Sequence, residues 1–92
     1  MKIEFNPLFE EMLVSILDYI MNDSLNASIH FEEELFVHLD DLTHFPYKFR
    51  KSHYYDDEHI RDYLFKGYTI PYLIDEKNNV IVVLDIFKWV EK

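Results

Sequence analysis

The 92-residue chain has no cysteine, which excludes disulfide staples, thiolate nucleophiles and any cysteine-based metal site. Glycine occurs once and proline three times, and no repeat, linker or low-complexity tract interrupts the chain. No apolar run approaches the ~18–20 residues of a membrane span, and the opening MKIEFNPLFEEM lacks the apolar core of a signal peptide. Basic charge is scarce as well. Nine Lys and Arg stand against eighteen Asp and Glu, a net charge of −9. The basic footprint of a nucleic-acid binder is therefore missing, and no direct DNA binding is expected. No H-x-x-x-H pair occurs among the five histidines, so neither a metal nor any other cofactor is expected. These absences describe one soluble, cytoplasmic domain over residues 1–92, with no membrane partner.

What is present is apolar and aromatic. Hydrophobic residues make up 49% of the chain, and eight Phe and seven Tyr give most of its aromatic content. A chain this short buries only about 60–65% of its unfolded surface. Side chains that each bury about 150–250 Å² make such a core feasible. Charge is unevenly spread: residues 1–45 hold ten acids and one base, Lys2, whereas residues 46–92 hold eight of each. The first half is anionic and the second neutral.

Residues 2–5 alternate polar and apolar, the pattern of a short strand. Asn6-Pro7 reads as an N-cap followed by a proline at the first helical position. Leu8, Phe9, Met12, Leu13, Ile16, Leu17 and Ile20 recur at helical spacing up to Asn22-Asp23. Ser24 can cap a second helix, with Leu25, Ile29, Phe36 and Leu39 as its apolar stripe and Leu35 and Leu42 widening it. Pro46 stops this helix, because the residue before a proline is pushed out of the α region. A joint of two or three residues between the helices implies an antiparallel helical hairpin. Residues 46–59 are irregular: basic first (Lys48, Arg50, Lys51), then aromatic (Tyr54, Tyr55), then acidic.

The remainder is rich in β-branched and aromatic residues. Three runs, 60–66, 68–74 and 80–87, are joined by Gly67 and by the polar cluster 75–79. Short joints between such runs predict an antiparallel three-strand meander. Gly67, alone between Lys66 and Tyr68, predicts a backbone position with positive φ. Pro71 lacks a donor, so its strand should be interrupted or locally bulged. In the last run Val80, Val82, Leu84 and Ile86 line one face, and Ile81, Val83 and Phe87 the other. Helices can cover one face; the other is covered by residues 46–59, by the aromatic C-terminus or by a partner protein.

The order β-α-α-β-β-β resembles the RelE/ParE superfamily, the toxins of bacterial type II toxin–antitoxin modules. The residues carrying the likeness are Phe45-Pro46, Arg50, Ile60-Arg61-Asp62, Lys66-Gly67-Tyr68-Thr69-Ile70-Pro71-Tyr72 and the run from Val80 to Ile86. The resemblance implies an α+β domain, with a helical hairpin packed on an antiparallel sheet, neutralised by a cognate antitoxin. Ile81, Val83, Phe87 and Trp89 are the antitoxin-facing candidates. Its members either poison DNA gyrase, the ParE mode, or cleave mRNA on the ribosome, the RelE mode. A degenerate toxin that binds only its antitoxin is a third possibility. Where the family commonly carries an arginine this chain has Thr69. The end, Phe87-Lys88-Trp89-Val90-Glu91-Lys92, also lacks the His, Arg or Tyr typical of the nucleases.

Cleavage through a 2′-hydroxyl needs a base, a cation for the charged phosphate and an acid for the leaving oxygen. Arg61 matches a family arginine and is the leading catalytic candidate; the alternative role for it is an ion pair with Asp62 or Glu58. Lys66 is a second cation and His59 an acid or base. Arg50, Lys51, His53 and Lys88 are candidates for target or phosphate contact. Tyr54 and Tyr55 would either stack on bases or pack beneath the loop. His30, His38 and His44 read as surface or boundary residues. High acidity and the missing C-terminal residues favour the gyrase mode over the ribosomal one.

Overall fold

The computed structural model describes residues 1–88; residues 89–92, and with them Trp89, lie outside it. Chain order is β1 (Lys2–Phe5), α1 (Pro7–Asp23), α2 (Leu25–Asp41), β2 (Ile60–Phe65), β3 (Tyr68–Asp75), β4 (Val80–Val83) and β5 (Phe87–Lys88). The two helices form one layer and the sheet the other. Strand order is β1-β4-β3-β2, with β5 pairing with β3. The pairs β2–β3, β3–β4 and β3–β5 are antiparallel. β1 lies parallel to β4, with Lys2 opposite Val80 and Phe5 opposite Val83, so the sheet is mixed rather than wholly antiparallel.

Local chemistry sets the helix ends. Asn6 Oδ1 accepts from the Leu8 N–H at 3.0 Å, with Pro7 at the first helical position. Ser24 alone joins the helices, a shorter joint than the sequence predicts. Its N–H closes α1 on the Ile20 carbonyl, and its hydroxyl accepts from the Ala27 N–H at 3.1 Å to open α2. Ser28, buried in the hairpin, donates from its hydroxyl to the Leu17 carbonyl at 3.0 Å and ties the helices together.

The stripe that α2 buries differs from the expected one. Ser28, Phe31, Leu35 and Leu39 face the sheet, and Leu42 continues the line. Leu25, Ile29 and Phe36 remain exposed, about 100° around a helix of 3.6 residues per turn. Both lines are apolar at helical spacing, and only packing decides between them. The sheet selects the line whose Phe31 meets Phe65 edge-on at a ring separation of 5.3 Å.

The core lies between the layers. Leu35, Leu39, Ile70, Tyr72, Ile81, Val83 and Ile86 are fully buried there. Two expected antitoxin contacts, Ile81 and Val83, are therefore corrected: they sit opposite Ile74 and Tyr72 on the helix-facing side, with no surface to offer.

Lys66 and Gly67 adopt φ of 48° and 84° in a two-residue loop between Phe65 and Tyr68. Two positive values there match the twist of the flanking strands. β3 runs unbroken through Pro71, and the irregularity appears in its neighbour. Three steps along β3, from Tyr72 to Thr69, oppose four steps from Val83 to Phe87, which is a one-residue bulge. The Pro71 carbonyl accepts from the Leu84 N–H at 2.9 Å. The proline nitrogen thus faces the same side, where it has no hydrogen to give, and the last strand departs from the ladder there.

Candidate functional site

Residues 42–59 form a chain of turns packed against the open end of the two layers. Tyr72 donates its hydroxyl to the Pro46 carbonyl at 2.6 Å, and burial pushes that hydroxyl's pKa far up. Arg61 Nη1 donates to the Phe49 carbonyl at 3.1 Å. Its guanidinium lies 5.0 Å from the Tyr47 ring centre, and Tyr47 in turn donates to Glu76 at 2.9 Å. Further on, Lys51 bridges Arg61, the Ser52 N–H reaches the Ile60 carbonyl at 2.8 Å and the Asp62 N–H reaches the Arg50 carbonyl at 3.1 Å. Residues 50–52 thereby cover the outer edge of β2.

The expected nuclease residues do not meet. Arg61 is held as a structural clamp, and its Nε is buried without a hydrogen-bond partner among the described residues. Lys66 pairs with Glu34 at 2.9 Å, and this contact holds the Glu34 carboxyl below its ordinary range. Five residues of extended chain, about 17 Å, separate Lys66 from Arg61. His59, exposed beside Asp57 at 3.3 Å, lies at the end of β2 away from Lys66. Lys88 is exposed opposite Tyr68, near the Lys66–Gly67 turn. Among the described residues no three His, Asp or Glu side chains form a metal site.

The face of the sheet away from the helices is partly roofed by the chain itself. Asp62 is 1% exposed, accepts from the His53 N–H at 3.0 Å and faces Arg50 at 3.6 Å. Its other carboxylate oxygen has no hydrogen-bond partner among the described residues. The ion pair weighed for Arg61 is thus made by Arg50 instead. Tyr54 meets Phe87 edge-on at 4.9 Å, so Phe87 is engaged internally. Burial, then the Asp85 and Asp62 carboxylates, raises the Tyr55 hydroxyl. Thr69, where the resembling family has an arginine, is fully buried and its hydroxyl has no hydrogen-bond partner among the described residues. His53 itself is exposed.

Two surface features stand out from this framework. The first is a furrow along the helical hairpin, floored by Phe5, Phe9 and Leu13 and walled by Val14, Leu17 and Phe36. Glu10 and Glu32 stand in it, and Met21, Leu25 and Ile29 are also exposed on the hairpin. The second is a cavity of about 520 Å³ between the end of α2, the turns after it and β2. His38 Nδ1 and the Tyr63 hydroxyl hydrogen-bond within it at 2.9 Å. His38 is exposed, as the surface-or-boundary reading expects, but that reading gave no sign of its bond to Tyr63. Once Phe31, Leu35 and Leu42 define the buried line, His38 falls on the same line by its spacing.

Comparison with known proteins adds the following. A family model described as "ParE toxin of type II toxin-antitoxin system, parDE" matches residues 3–88. No curated protein sequence matches the chain. A solved structure titled "Chromosomal ParDE TA system from P. aeruginosa" superposes with a TM-score of 0.77 at 12% identity, covering 98% of this chain and 97% of that one. At that identity the likeness speaks for the fold, which is the same two-layer arrangement.

Proposed function

The chain belongs to the ParE toxin family of type II toxin–antitoxin systems, and from that premise we propose that it arrests growth by docking on DNA gyrase rather than by cutting RNA. It is the toxin component of such a module. The observation that carries the docking mode is the dispersal of the nuclease candidates. Arg61 is engaged by the Tyr47 ring and the Phe49 carbonyl, Lys66 at the other end of β2 by Glu34, and His59, two residues before Arg61, by Asp57. General acid–base help, worth about 10²–10⁴-fold, needs such groups within hydrogen-bond reach of one another's substrate atoms. The target-facing surface in this reading is the segment around residues 45–51, where exposed Phe45 and Tyr47 stand among Lys48, Arg50 and Lys51.

A cognate antitoxin neutralises the toxin, and the hairpin furrow is where it would lie. Val14 in the furrow and Met21, Leu25 and Ile29 elsewhere on the hairpin are 44–58% exposed, a cost in water that a partner would remove. Ten acids against one base in residues 1–45 call for a segment with an apolar face and Lys or Arg on its flanks.

Pulse-labelling after induction of the chain without antitoxin tests the target. Thymidine incorporation should fail before methionine incorporation, and purified toxin should inhibit gyrase supercoiling. Methionine incorporation failing first would move the target to the ribosome.

A further inference from the structure

The cavity beside β2 shares Phe45 and Lys48 with the target-facing segment proposed above and has a further use. Its volume of about 520 Å³ falls within the roughly 300–1,000 Å³ of small-molecule sites. Tyr63 is buried at its floor, with Phe49 edge-on to it at 5.0 Å. Phe45 stands at the rim, 70% exposed. Two turns hold this rim in shape: the His44 N–H bonds the Asp41 carbonyl and the Lys48 N–H bonds the Phe45 carbonyl, each at 3.1 Å. Asp41, His44 and Lys48 bring both signs of charge to the same lining.

We propose that this cavity binds a nucleotide, taken either as a free nucleoside monophosphate or as an exposed residue of single-stranded RNA. Flat aromatic walls suit a base, which stacks on Phe and Tyr whatever its identity. The Asp41 carboxylate can accept from an exocyclic amine, a group that adenine, cytosine and guanine carry and uracil lacks. The Lys48 ammonium, with His44 beside it when protonated, suits a phosphate. No simpler ligand uses both halves. Inorganic phosphate would engage Lys48 and leave the aromatic walls in water; an aromatic side chain would fill the walls and leave Asp41 and Lys48 unused. The lining shares Phe45 and Lys48 with the segment proposed to face gyrase, but nucleotide binding is read on the toxin alone, so either reading can fail without the other.

The test is an amide and imidazole NMR titration of the purified chain with AMP, CMP, GMP, UMP, inorganic phosphate and a short single-stranded RNA. Expected are shifts at His38, His44, Phe45 and Phe49 at sub-millimolar nucleotide, with UMP binding about fivefold more weakly than the other three. Phe45→Ala should weaken every nucleotide about tenfold or more, and a melting curve would show that this exposed position leaves the fold intact. Lys48→Gln should weaken nucleotides but not nucleosides, and Asp41→Asn should remove the bias against UMP. Equal binding of mononucleotides and RNA supports the free-nucleotide source, and binding of RNA alone supports the strand source. The proposal is overturned if neither a mononucleotide nor the RNA shifts these residues at millimolar concentration, if inorganic phosphate alone reproduces the shifts, or if Phe45→Ala changes nothing.

Discussion

The Arg61 guanidinium rests 5.0 Å from the centre of the Tyr47 ring. Arg61 belongs to β2 and Tyr47 to the turn segment, so this contact and the bond to the Phe49 carbonyl fasten one to the other. The arginine that the sequence nominates for catalysis thus has its charge committed to holding a loop.

Arg61→Ala should therefore act on stability. A cation–π contact contributes about 0.5–2 kcal/mol and a hydrogen bond from a charged donor about 1.5–3 kcal/mol. Because the site is half-buried, a combined loss of ~1–3 kcal/mol is expected in urea denaturation. Arg61→Lys should recover only part of it, lacking the planar fork. With the variant kept folded at low temperature, inhibition of gyrase should survive. Loss of activity in a folded Arg61→Ala protein would return Arg61 to a functional role.

Asp85 gives the molecule a pH dependence of defined sign. Partial burial raises its carboxyl above the ordinary range, and the hydrogen bond from the Ile86 N–H, at 2.7 Å, offsets this only in part. The folded state prefers the neutral acid, so this contribution is fully present below the unfolded pKa and is lost as pH rises through the folded one. Asp85→Asn keeps an oxygen for the Ile86 N–H and removes the charge. It should melt higher than the parent near neutral pH and level with it at strongly acidic pH. Glu34 and Asp75, both shifted downward, act the other way: their contributions are lost as pH falls. A melting series across pH for parent and Asp85→Asn separates the two, since only the Asp85 component disappears in the variant.

Gly67 occupies φ of 84°, and a Cβ built there would meet no atom within 4 Å. Any penalty for a side chain is then conformational. Gly67→Ala should cost about 1–2 kcal/mol, the left-handed penalty of an L residue, whereas Gly67→Asn should cost less because its side chain tolerates that region. Denaturation midpoints of the two variants check the order. An alanine variant as stable as the parent would mean that the hairpin had changed turn type.

The positive φ at Gly67 was legible because one glycine sits between two β-rich runs, and the helix caps were legible because Asn6-Pro7 and Ser24 are local signals. What escaped depended on which surface met which. Leu25, Ile29 and Phe36 satisfy helical spacing as well as Phe31, Leu35 and Leu39 do, and nothing in α2 itself ranks the two lines. Alternation in the last run was read as continuous, yet the donor missing at Pro71 displaced the strand opposite it. That displacement separates Val83 from Phe87 by one extra residue. Bringing His38 to Tyr63 and Arg61 to Tyr47 required long-range pairing, so neither contact has a signature in spacing.

The same ambiguity in α2 yields the sharpest test of the partner surface. A helix with two apolar lines, one buried and one exposed, either wastes the second or uses it to bind. Ile29 is 44% exposed and Val14 58%, so an acidic residue at either position should leave the melting temperature nearly unchanged. If the antitoxin lies in this furrow and continues along the hairpin over Ile29, Ile29→Asp and Val14→Asp should each weaken its binding by about 2–4 kcal/mol, the scale of an interface hot spot. Glu10→Lys and Glu32→Lys should weaken it less and mainly at low salt, because rim charges act through a screened field. Ile81→Ala supplies the contrast: fully buried in the core, it should cost about 2–5 kcal/mol of stability through the cavity it leaves. Co-expression with the cognate antitoxin, followed by affinity measurement on the folded variants, distinguishes these effects. Full affinity in both hairpin variants would place the antitoxin elsewhere. The exposed remainder of the sheet's far face, where Leu64 is 52% exposed, would then be the surface to alter next.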